Sequence, residues 1–332
     1  MRRQFTISYR EIISVENLLG AWQEFLRGKH GKQDVQLFQL HLMDNVLTLH
    51  YELRNLTYTH GGYHHFKIND PKPRDIHKAS VRDRLLHHAI YRKLYPFFDK
   101  LFIADSYSCR LRKGTHRANN RLRVFFNIVS KNNTRICWVL KCDIRKFFAS
   151  IDHQTLFMVL DDYIKDDRTA RLLRKVVSSF SSTSVGTGLP LGNLTSQLVV
   201  NIYMNEFELF MKHKLMARHY IRYADDFVVL SHSKSWLESI LPIMRSFLVA
   251  TLSLSLHPNK VSITSLASGV DILGWVHFTD HRVLRTATKR RMWRKLLPAA
   301  THETVASYKG LLRHGNSHKL LDELKRIAPV LD

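Results

Sequence analysis

The sequence predicts a mixed α+β fold, and three observations support this prediction. Residues 1–58 repeat apolar side chains at a helical period, interrupted only by the glycines near position 30. Residues 58–76 and the stretch that begins at Ile136 have the pattern of strands. The run IRYADDFVVL, residues 221–230, indicates a strand, a tight turn and a second strand. Helical segments fill most of the chain between these strands.

The charge balance indicates a polyanionic partner. Lysine and arginine total 51 against 28 aspartate and glutamate residues, which gives a net charge of +23. Nucleic acid is the leading candidate, ahead of an anionic membrane surface. No apolar run is long enough to span a membrane, and the first residues lack the apolar core of a signal peptide, so we expect a cytoplasmic protein with no membrane partner. The three cysteines lack CxxC spacing, which argues against a disulfide framework or a zinc site.

Two adjacent acids lie at the tip of the predicted hairpin. Asp225 and Asp226 follow an aromatic-rich run and precede a β-branched run. Neighbouring carboxylates repel each other unless a cation lies against them, and hard divalent ions prefer oxygen ligands. A metal site is therefore the first hypothesis. The acidic pairs at 161–162 and 166–167 lie in charge-rich helical sequence, and we expect them at the solvated surface.

A third carboxylate ends an earlier strand. Asp143 follows the apolar run that begins at Ile136, where a lone acid could equally be a helix cap or an ion-pair member. The Gly/Ser/Thr-rich loop at 181–197 lies between Asp143 and the 225–226 pair, and glycine lets a backbone approach a ligand closely. The order of these segments suggests that the loop forms a wall of the same cavity, with Ser196 and Gln197 opening the next helix.

Two basic clusters could contact phosphate groups. Lys67, Lys72 and Arg74 surround a predicted turn, where they could hold a triphosphate, although a chain this basic also produces such clusters by chance. Arg110 and Lys113 lie in a basic loop before a helix and could contact a phosphate backbone.

Six segments in order resemble the successive motifs of reverse transcriptases, over roughly residues 50–280. They are Arg74, LKCDIRKFFASID, GLPLGNLTSQ, YADDF, LSLHPNK and DILGW. The resemblance implies the right-hand polymerase fold, in which an antiparallel sheet with helices forms the palm. It implies the following division: helical extension 1–58, fingers 59–130, palm 131–278 and a small helical thumb 279–332.

The resemblance also implies roles for individual residues. Asp143 and Asp225 would bridge two Mg²⁺ ions, with Asp226 completing the acidic patch and the Ile144 carbonyl as a further ligand. Phosphoryl transfer needs one metal on the attacking hydroxyl and one on the leaving group. The other implied roles are a triphosphate contact for the cations Lys67, Lys72 and Arg74, a gate against ribose for Phe148, and primer or template contacts for Arg110, Lys113, Lys260 and Gly274.

The central loop resembles one branch of the family, the reverse transcriptases of diversity-generating retroelements. Leu191-Gly192 stands where most members have a Gln-Gly pair, and Ser196-Gln197 stands where most have Ser-Pro. This branch copies a template RNA with frequent errors at adenines and works with a basic accessory variability protein. With Gly192 and Gln197 also expected at the nucleotide, Leu191 would remove a hydrogen bond that aids discrimination. The implied partners are an RNA template, a DNA or RNA primer, dNTPs and possible oligomers of that accessory protein.

Three alternatives stay open. One is a retron-type or antiphage-defence reverse transcriptase with the same chemistry, and another is an enzyme of the same fold that adds nucleotides without a template. The third is an RNA-binding scaffold without catalysis, which the three retained acids disfavour.

Overall fold

The computed structural model describes residues 2–69, 73–297 and 300–327, and its packing separates into two compact units. The first comprises Met1–Ala104, Ile144–Leu215 and Met244–Leu256, and the second comprises Asp105–Asp143, Met216–Ile243 and His257–Asp332. Both units take separate stretches of the chain, so this division leaves the expected extension, fingers, palm and thumb as predictions. The predicted α+β class is confirmed by helices and antiparallel sheets.

The first unit begins with helices, as the sequence predicted. Ser8, Ser14 and Ser80 each accept a hydrogen bond from a first-turn amide and so start α1, α2 and α5. No helix among the described residues is both long and apolar enough to cross a membrane. The helices are α1 (Tyr9–Ile13), α2 (Val15–Leu26), α3 (Gln33–Leu40), α4 (Leu42–Arg54) and α5 (Val81–Phe98).

An antiparallel hairpin precedes α5. Its strands are β1 (Tyr63–Ile68) and β2 (Arg74–Ala79), and Ile68 lies opposite Arg74. Most side chains of both strands are exposed or half-buried, and Ala79 at the end of β2 is the buried exception. The hairpin therefore presents most of its surface to a ligand or to solvent.

The rest of the first unit is helical. The sequence predicts Asp152 as the N-cap of a helix, and it does cap α7 (His153–Asp161), which α8 (Asp167–Ser178) follows. α9 (Leu194–His213) begins earlier than expected, because Asn193 and not Ser196 or Gln197 is its N-cap. Asn193 is extended, and its side-chain amide donates to the His77 carbonyl over 3.2 Å, which fixes the chain before the helix. α10 (Lys234–Leu252) begins in the second unit and ends in the first.

A four-stranded antiparallel sheet dominates the second unit. Its strands are β3 (Trp138–Asp143), β4 (Tyr220–Tyr223), β5 (Asp226–Ser231) and β6 (Ser262–Ser265), in the order β4-β5-β3-β6. α6 (Thr115–Ser130) packs on one face of it, and Phe125 and Phe126 join Val139, Val228 and Leu230 in one buried cluster. This packing fixes the register of β3 against β5, since a one-residue slip would turn the apolar side chains away from α6.

The second unit ends in a small sheet and three helices. Strands β7 (Val270–Ile272), β8 (Trp275–His277) and β9 (Arg282–Leu284) form an antiparallel meander. Trp275 is packed with apolar residues of α11 (Thr286–Leu296), α12 (His302–Leu312) and α13 (His318–Ile327). The sequence predicts that Pro298 ends the first of these helices, and this residue lies outside the described residues.

Candidate functional site

Asp143 and Asp226 lie opposite each other across β3 and β5. Directly opposed residues of antiparallel strands have Cα atoms about 4.5–5.5 Å apart and side chains on one face. Asp143 is buried, with 7% of its surface exposed, and Asp226 is half-buried. Two carboxylates from distant parts of the sequence therefore meet at the end of the sheet.

Asp225 lies in the turn that joins β4 to β5. Tyr223 pairs with Asp226, so Ala224 and Asp225 alone form the loop, as the predicted hairpin tip requires. Ala224 has a φ of 56°, a left-handed conformation that costs a non-glycine residue roughly 1–2 kcal/mol. A strained turn of this kind persists only where the surrounding structure holds it.

Two lysines lie near the acids. The Lys260 Nζ donates to the Asp143 Oδ2 over 2.9 Å, which is an ion pair between half-exposed and buried groups. Lys141 precedes Asp143 by two residues and projects from the same face of β3. Its Nζ donates to the Asp271 carbonyl over 2.5 Å, and the Asp271 carboxylate pairs with Arg285.

The environment of Asp226 disfavours its charged form. Burial is the main cause that raises the pKa of Asp226 to about 6, and the neighbouring Asp225 and Asp143 charges raise this pKa further. Lys141 and Lys260 oppose the shift but do not cancel it. Asp226 and Lys141 line a small cavity together with a largely apolar set of residues, which are Leu122, Ile221, Tyr223, Phe227, Val228, Ile272 and Leu273.

The donor chemistry fits a hard divalent cation. Asp143, Asp225 and Asp226 offer carboxylate oxygens, and, after burial, the negative charges of Asp225 and Asp143 contribute to the raised pKa of Asp226, so a bound cation would relieve repulsion among the three acids. Within the described ranges, no group of three or more His, Cys, Asp or Glu side chains is placed to hold a metal ion. Mg²⁺ is usually bound through only one or two carboxylates, with phosphates and water as the other ligands. Ile144 is buried directly after Asp143, and its carbonyl as a ligand stays a prediction.

Sequence reasoning missed two cations on the strands that carry these acids. Lys141 faces the acidic end of the sheet, and Arg222, on β4, is fully buried. The available signal was a basic residue inside an otherwise apolar strand, since lysine and arginine are almost never fully buried unless paired.

In the first unit, the predicted triphosphate contacts lie on the β1–β2 hairpin. Lys67 is exposed opposite Asp75, and Arg74 is exposed opposite Ile68. Lys72 lies outside the described residues. The hydrogen bond from His65 lowers the pKa of Asp75, and the Lys67 charge lowers it further.

The central loop is bound to this same hairpin. The His77 amide donates to the Leu191 carbonyl over 3.3 Å, and the Asn193 side chain returns a bond to the His77 carbonyl. Gly192 has a φ of +101°, and a Cβ on it would lie 3.3 Å from the Ile76 Cγ2, so both conformation and space favour glycine. Leu191 and Gln197 are half-buried. The hairpin and the loop thus form one continuous surface within the first unit.

Phe148 lies in a 3₁₀ turn, Phe147–Ser150, shortly after Asp143. The Leu189 amide donates to its carbonyl over 2.8 Å, and its ring packs edge-on against Phe147. The backbone of the central-loop segment therefore fixes Phe148, whose side chain is half-buried.

The predicted primer and template residues in the second unit have defined positions. Arg110 donates to the Ser106 carbonyl, and the Lys113 ammonium lies over the Tyr107 ring. Leu273 and Gly274 form the two-residue turn between β7 and β8, both with positive φ. That conformation matches a type I′ hairpin, in which glycine is favoured.

Comparison with known proteins assigns the chain to a described family of domains. Residues 67–277, more than half of the chain, match the family model described as "Reverse transcriptase (RNA-dependent DNA polymerase)". Protein YkfC of Escherichia coli (strain K12) is 25% identical over 256 residues, which cover 66% of this chain and 65% of that protein. The group II intron-encoded protein LtrA of Lactococcus lactis subsp. cremoris is 22% identical over 292 residues, covering 68% and 47% respectively.

The chain spans less than two thirds of the length of each of these two relatives. Among solved structures, apo telomerase from Candida tropicalis, truncated from its C-terminal domain, matches with a TM-score of 0.49 and 13% identity. That match covers 74% of this chain and 60% of the telomerase chain.

Proposed function

Because this chain belongs to the reverse transcriptase family, whose right-hand polymerase fold it shares, we propose that it copies an RNA template into DNA by two-metal phosphoryl transfer. Its relatives extend beyond the matched region, so activity, substrates and partners are proposed here for the residues present. The observation that carries the proposal is the pairing of Asp143 with Asp226, with Asp225 in the adjoining loop.

The acids would hold the metal ions. Asp143 and Asp225 would hold them through their carboxylates, Asp226 would add negative charge beside them, and the Ile144 carbonyl would be a further oxygen donor. Bound Mg²⁺ would lower the pKa of the primer 3′-hydroxyl and neutralise the leaving pyrophosphate. Because Asp143 and Asp226 are on neighbouring strands of one sheet, they need little reorganisation to bind a cation.

The β1–β2 hairpin and the central loop would bind the nucleotide. Arg74 can form a bidentate contact to a phosphate, while Lys67 adds a point charge. Lys72 shares this proposed role from outside the described residues. The two hydrogen bonds between His77 and the Leu191–Asn193 segment support a joint surface, because they tie the loop to the strand that carries Arg74.

The remaining residues would select and hold the substrate. Phe148 would collide with a ribose 2′-hydroxyl, and its carbonyl bond to Leu189 supports a fixed position for this gate. Gln197 would lie beside the nucleotide. Arg110, Lys113, Lys260 and the Gly274 turn would contact primer or template, and the net charge of +23 supports binding to a nucleic-acid backbone.

For the biological role, we propose the error-prone enzyme of a diversity-generating retroelement, acting in mutagenic retrohoming. The support is the Leu191-Gly192 and Ser196-Gln197 form of the central loop. A basic accessory protein would be the partner in this role. A retron-type or antiphage-defence enzyme is the second candidate, and a template and variable repeat beside the gene would favour the first. A template-independent nucleotidyltransferase is the third.

Primer extension on a defined RNA template tests the activity. We expect Mg²⁺-dependent, template-directed DNA synthesis that Asp225→Ala reduces at least about a thousandfold while RNA binding persists. Asp167→Ala is the matched control, because this acid lies on the exposed surface in an i,i+4 pair with Arg171. Synthesis that persists in Asp225→Ala would overturn the catalytic assignment. Extension without template would support the nucleotidyltransferase instead.

A further inference from the structure

Arg222 is a fully buried arginine in the strand that leads to Asp225. None of its surface is exposed, and its side chain projects from the opposite face of the sheet to Asp143 and Asp226. A buried guanidinium is costly unless its donors are used. The Arg222 Nη1 donates to the Ala224 carbonyl over 3.0 Å, and its Nη2 donates to the Ser106 Oγ over 3.0 Å.

The backbone around Arg222 is also fixed. Its amide donates to the Asp105 carbonyl over 3.1 Å, and its carbonyl accepts from the Tyr107 amide over 3.0 Å. This short parallel bridge lies on the edge of β4 that faces away from β5. The Asp105 carboxylate accepts from Arg121 of α6 over 2.9 Å, so the bridge is itself anchored to a helix. The guanidinium therefore projects from a rigid base.

The acceptor of its first bond is the carbonyl of the strained residue. Ala224 has a φ of 56°, and its carbonyl belongs to the peptide plane that enters Asp225. A charge-assisted bond to this carbonyl opposes rotation of that plane, and such bonds are roughly twice as strong as neutral ones. Alanine without this support would favour a negative φ, which would redirect the following carboxylate.

We propose that Arg222 is a positioning residue that locks the Ala224–Asp225 peptide and so holds the Asp225 carboxylate where it can share a cation with Asp143. This inference rests on the proposed function, since it concerns the same acidic site. It adds a role for a residue on the far face of the sheet that touches neither the metal nor the substrate. The guanidinium acts through the turn.

Binding of Mn²⁺ to the intact chain, followed by electron paramagnetic resonance, tests the proposal with a readout other than activity. We expect Arg222→Gln to weaken Mn²⁺ binding about 10- to 100-fold, as is usual for residues that orient metal ligands. The double variant Arg222→Gln/Ala224→Gly should recover part of this loss, because glycine adopts the required φ without strain. Ser106→Ala removes the bond that points away from the turn and should leave Mn²⁺ affinity within about twofold of the original.

A purely structural role for Arg222 predicts different results. Arg222→Gln would then lower the thermal midpoint but bind Mn²⁺ normally below it, and Ala224→Gly would restore nothing; either result overturns the proposal. If Arg222→Gln does not fold, Arg222→Lys decides, because it keeps the charge but loses the planar fork that reaches two acceptors. Mn²⁺ affinity equal to that of the original chain in Arg222→Lys would also overturn it.

The failure of the proposed function has its own signature. In that case the original chain would extend no primer, and Asp143→Asn would not reduce its binding of Mn²⁺. If the original chain extends a primer and loses Mn²⁺ binding on Asp143→Asn, but the Arg222 variants bind Mn²⁺ as the original chain does, only the positioning role is overturned.

Discussion

The Lys260 ammonium donates to the Asp143 Oδ2 over 2.9 Å, so a cation of the protein already lies against a proposed metal ligand. The lysine side chain is 44% exposed and that of Asp143 is 10% exposed. A pair with one partner this exposed contributes at most about 1 kcal/mol. Such a pair is strong enough to reduce repulsion among the acids and weak enough for a divalent ion to displace.

Lys260→Ala is therefore expected to tighten Mg²⁺ binding. Loss of a competing interaction of up to about 1 kcal/mol corresponds to an affinity gain of up to about fivefold. Isothermal titration with Mg²⁺ measures it. Lys289→Ala removes the same charge from an exposed position of α11 and should leave the affinity unchanged. Weaker binding in Lys260→Ala would show that the lysine assists the metal instead of competing with it.

Asp226→Asn is expected to stabilise the metal-free protein at pH 7. The folded pKa of about 6 exceeds the ordinary value of 3.8, so the folded state keeps a proton that the unfolded state releases. The contribution of the Asp226 carboxyl to the free energy of unfolding is therefore largest below about pH 4 and is lost as the pH rises to about 6. At pH 7 the asparagine variant should gain about 2–3 kcal/mol in the free energy of unfolding.

Denaturant unfolding in chelator at pH 4 and pH 7 measures this gain, which should nearly vanish at pH 4. Added Mg²⁺ should stabilise the original chain more than Asp226→Asn, because only the original chain has all three carboxylates to bind the ion. The control is Asp167→Asn at an exposed position, whose effect on the free energy of unfolding should be the same at the two pH values. A variant less stable than the original chain at pH 7 without metal would contradict the assigned pKa.

The acids could be predicted from the sequence because their signal is local. Asp143 directly follows an apolar strand pattern, and Asp225 and Asp226 lie between two strand patterns. A metal site accounts for the acids at both places. The sequence also predicts Ser80 and Asp152 as the residues that begin helices, and both are N-caps, because a cap depends on residues only three positions away. The pairing of Asp143 with Asp226 needed the sheet register, which only the packing against α6 determines.

The supporting cations could not be predicted in this way. Arg222 is buried by strand pairing with Asp105–Tyr107, which are more than a hundred residues earlier. The positive φ of Ala224 could not be predicted either, because the turn contains no glycine, which is the residue that usually indicates a positive φ. Asn193 replaced Ser196 at the start of α9 through a bond to His77 in a distant strand. Long-range contacts decided each of these positions.

Leu191→Gln tests the proposed source of errors. The half-buried Leu191 has its carbonyl fixed by the His77 amide, so a glutamine there would present an amide from a stationary backbone. One restored hydrogen bond of about 0.5–1.5 kcal/mol should reduce misincorporation opposite adenine up to about tenfold. Sequencing of the DNA made on a defined RNA template measures it. Val185→Gln, 97% exposed in the same loop, is the control, and an unchanged error rate in Leu191→Gln would refute the explanation.

His87 is expected to make the first unit sensitive to acid. Burial lowers its pKa to about 3, and the facing His60, His88 and Arg84 lower it further, against the opposing charge of Asp83. Its Nε2 lies 3.2 Å from the His60 Nε2, and its Nδ1 has no partner among the described residues. The His60 Nδ1 donates to the Gly61 carbonyl over 2.6 Å, so the neutral His60 ring can accept from the His87 Nε2, and a further proton on the His87 Nδ1 would be buried without an acceptor.

The depressed pKa of His87 sets the sign of this effect. Its contribution to stability is present above the unfolded value of 6.5 and is lost as the pH falls towards 3. Between pH 7 and pH 5 the free energy of unfolding should fall by about 2 kcal/mol from this group alone, and His87→Leu should remove that part of the fall. Denaturant titrations at the two pH values measure it, with the exposed His302→Leu as control. An equal fall in His87→Leu and the original chain would mean that His87 is protonated as readily in the folded protein as in the unfolded chain.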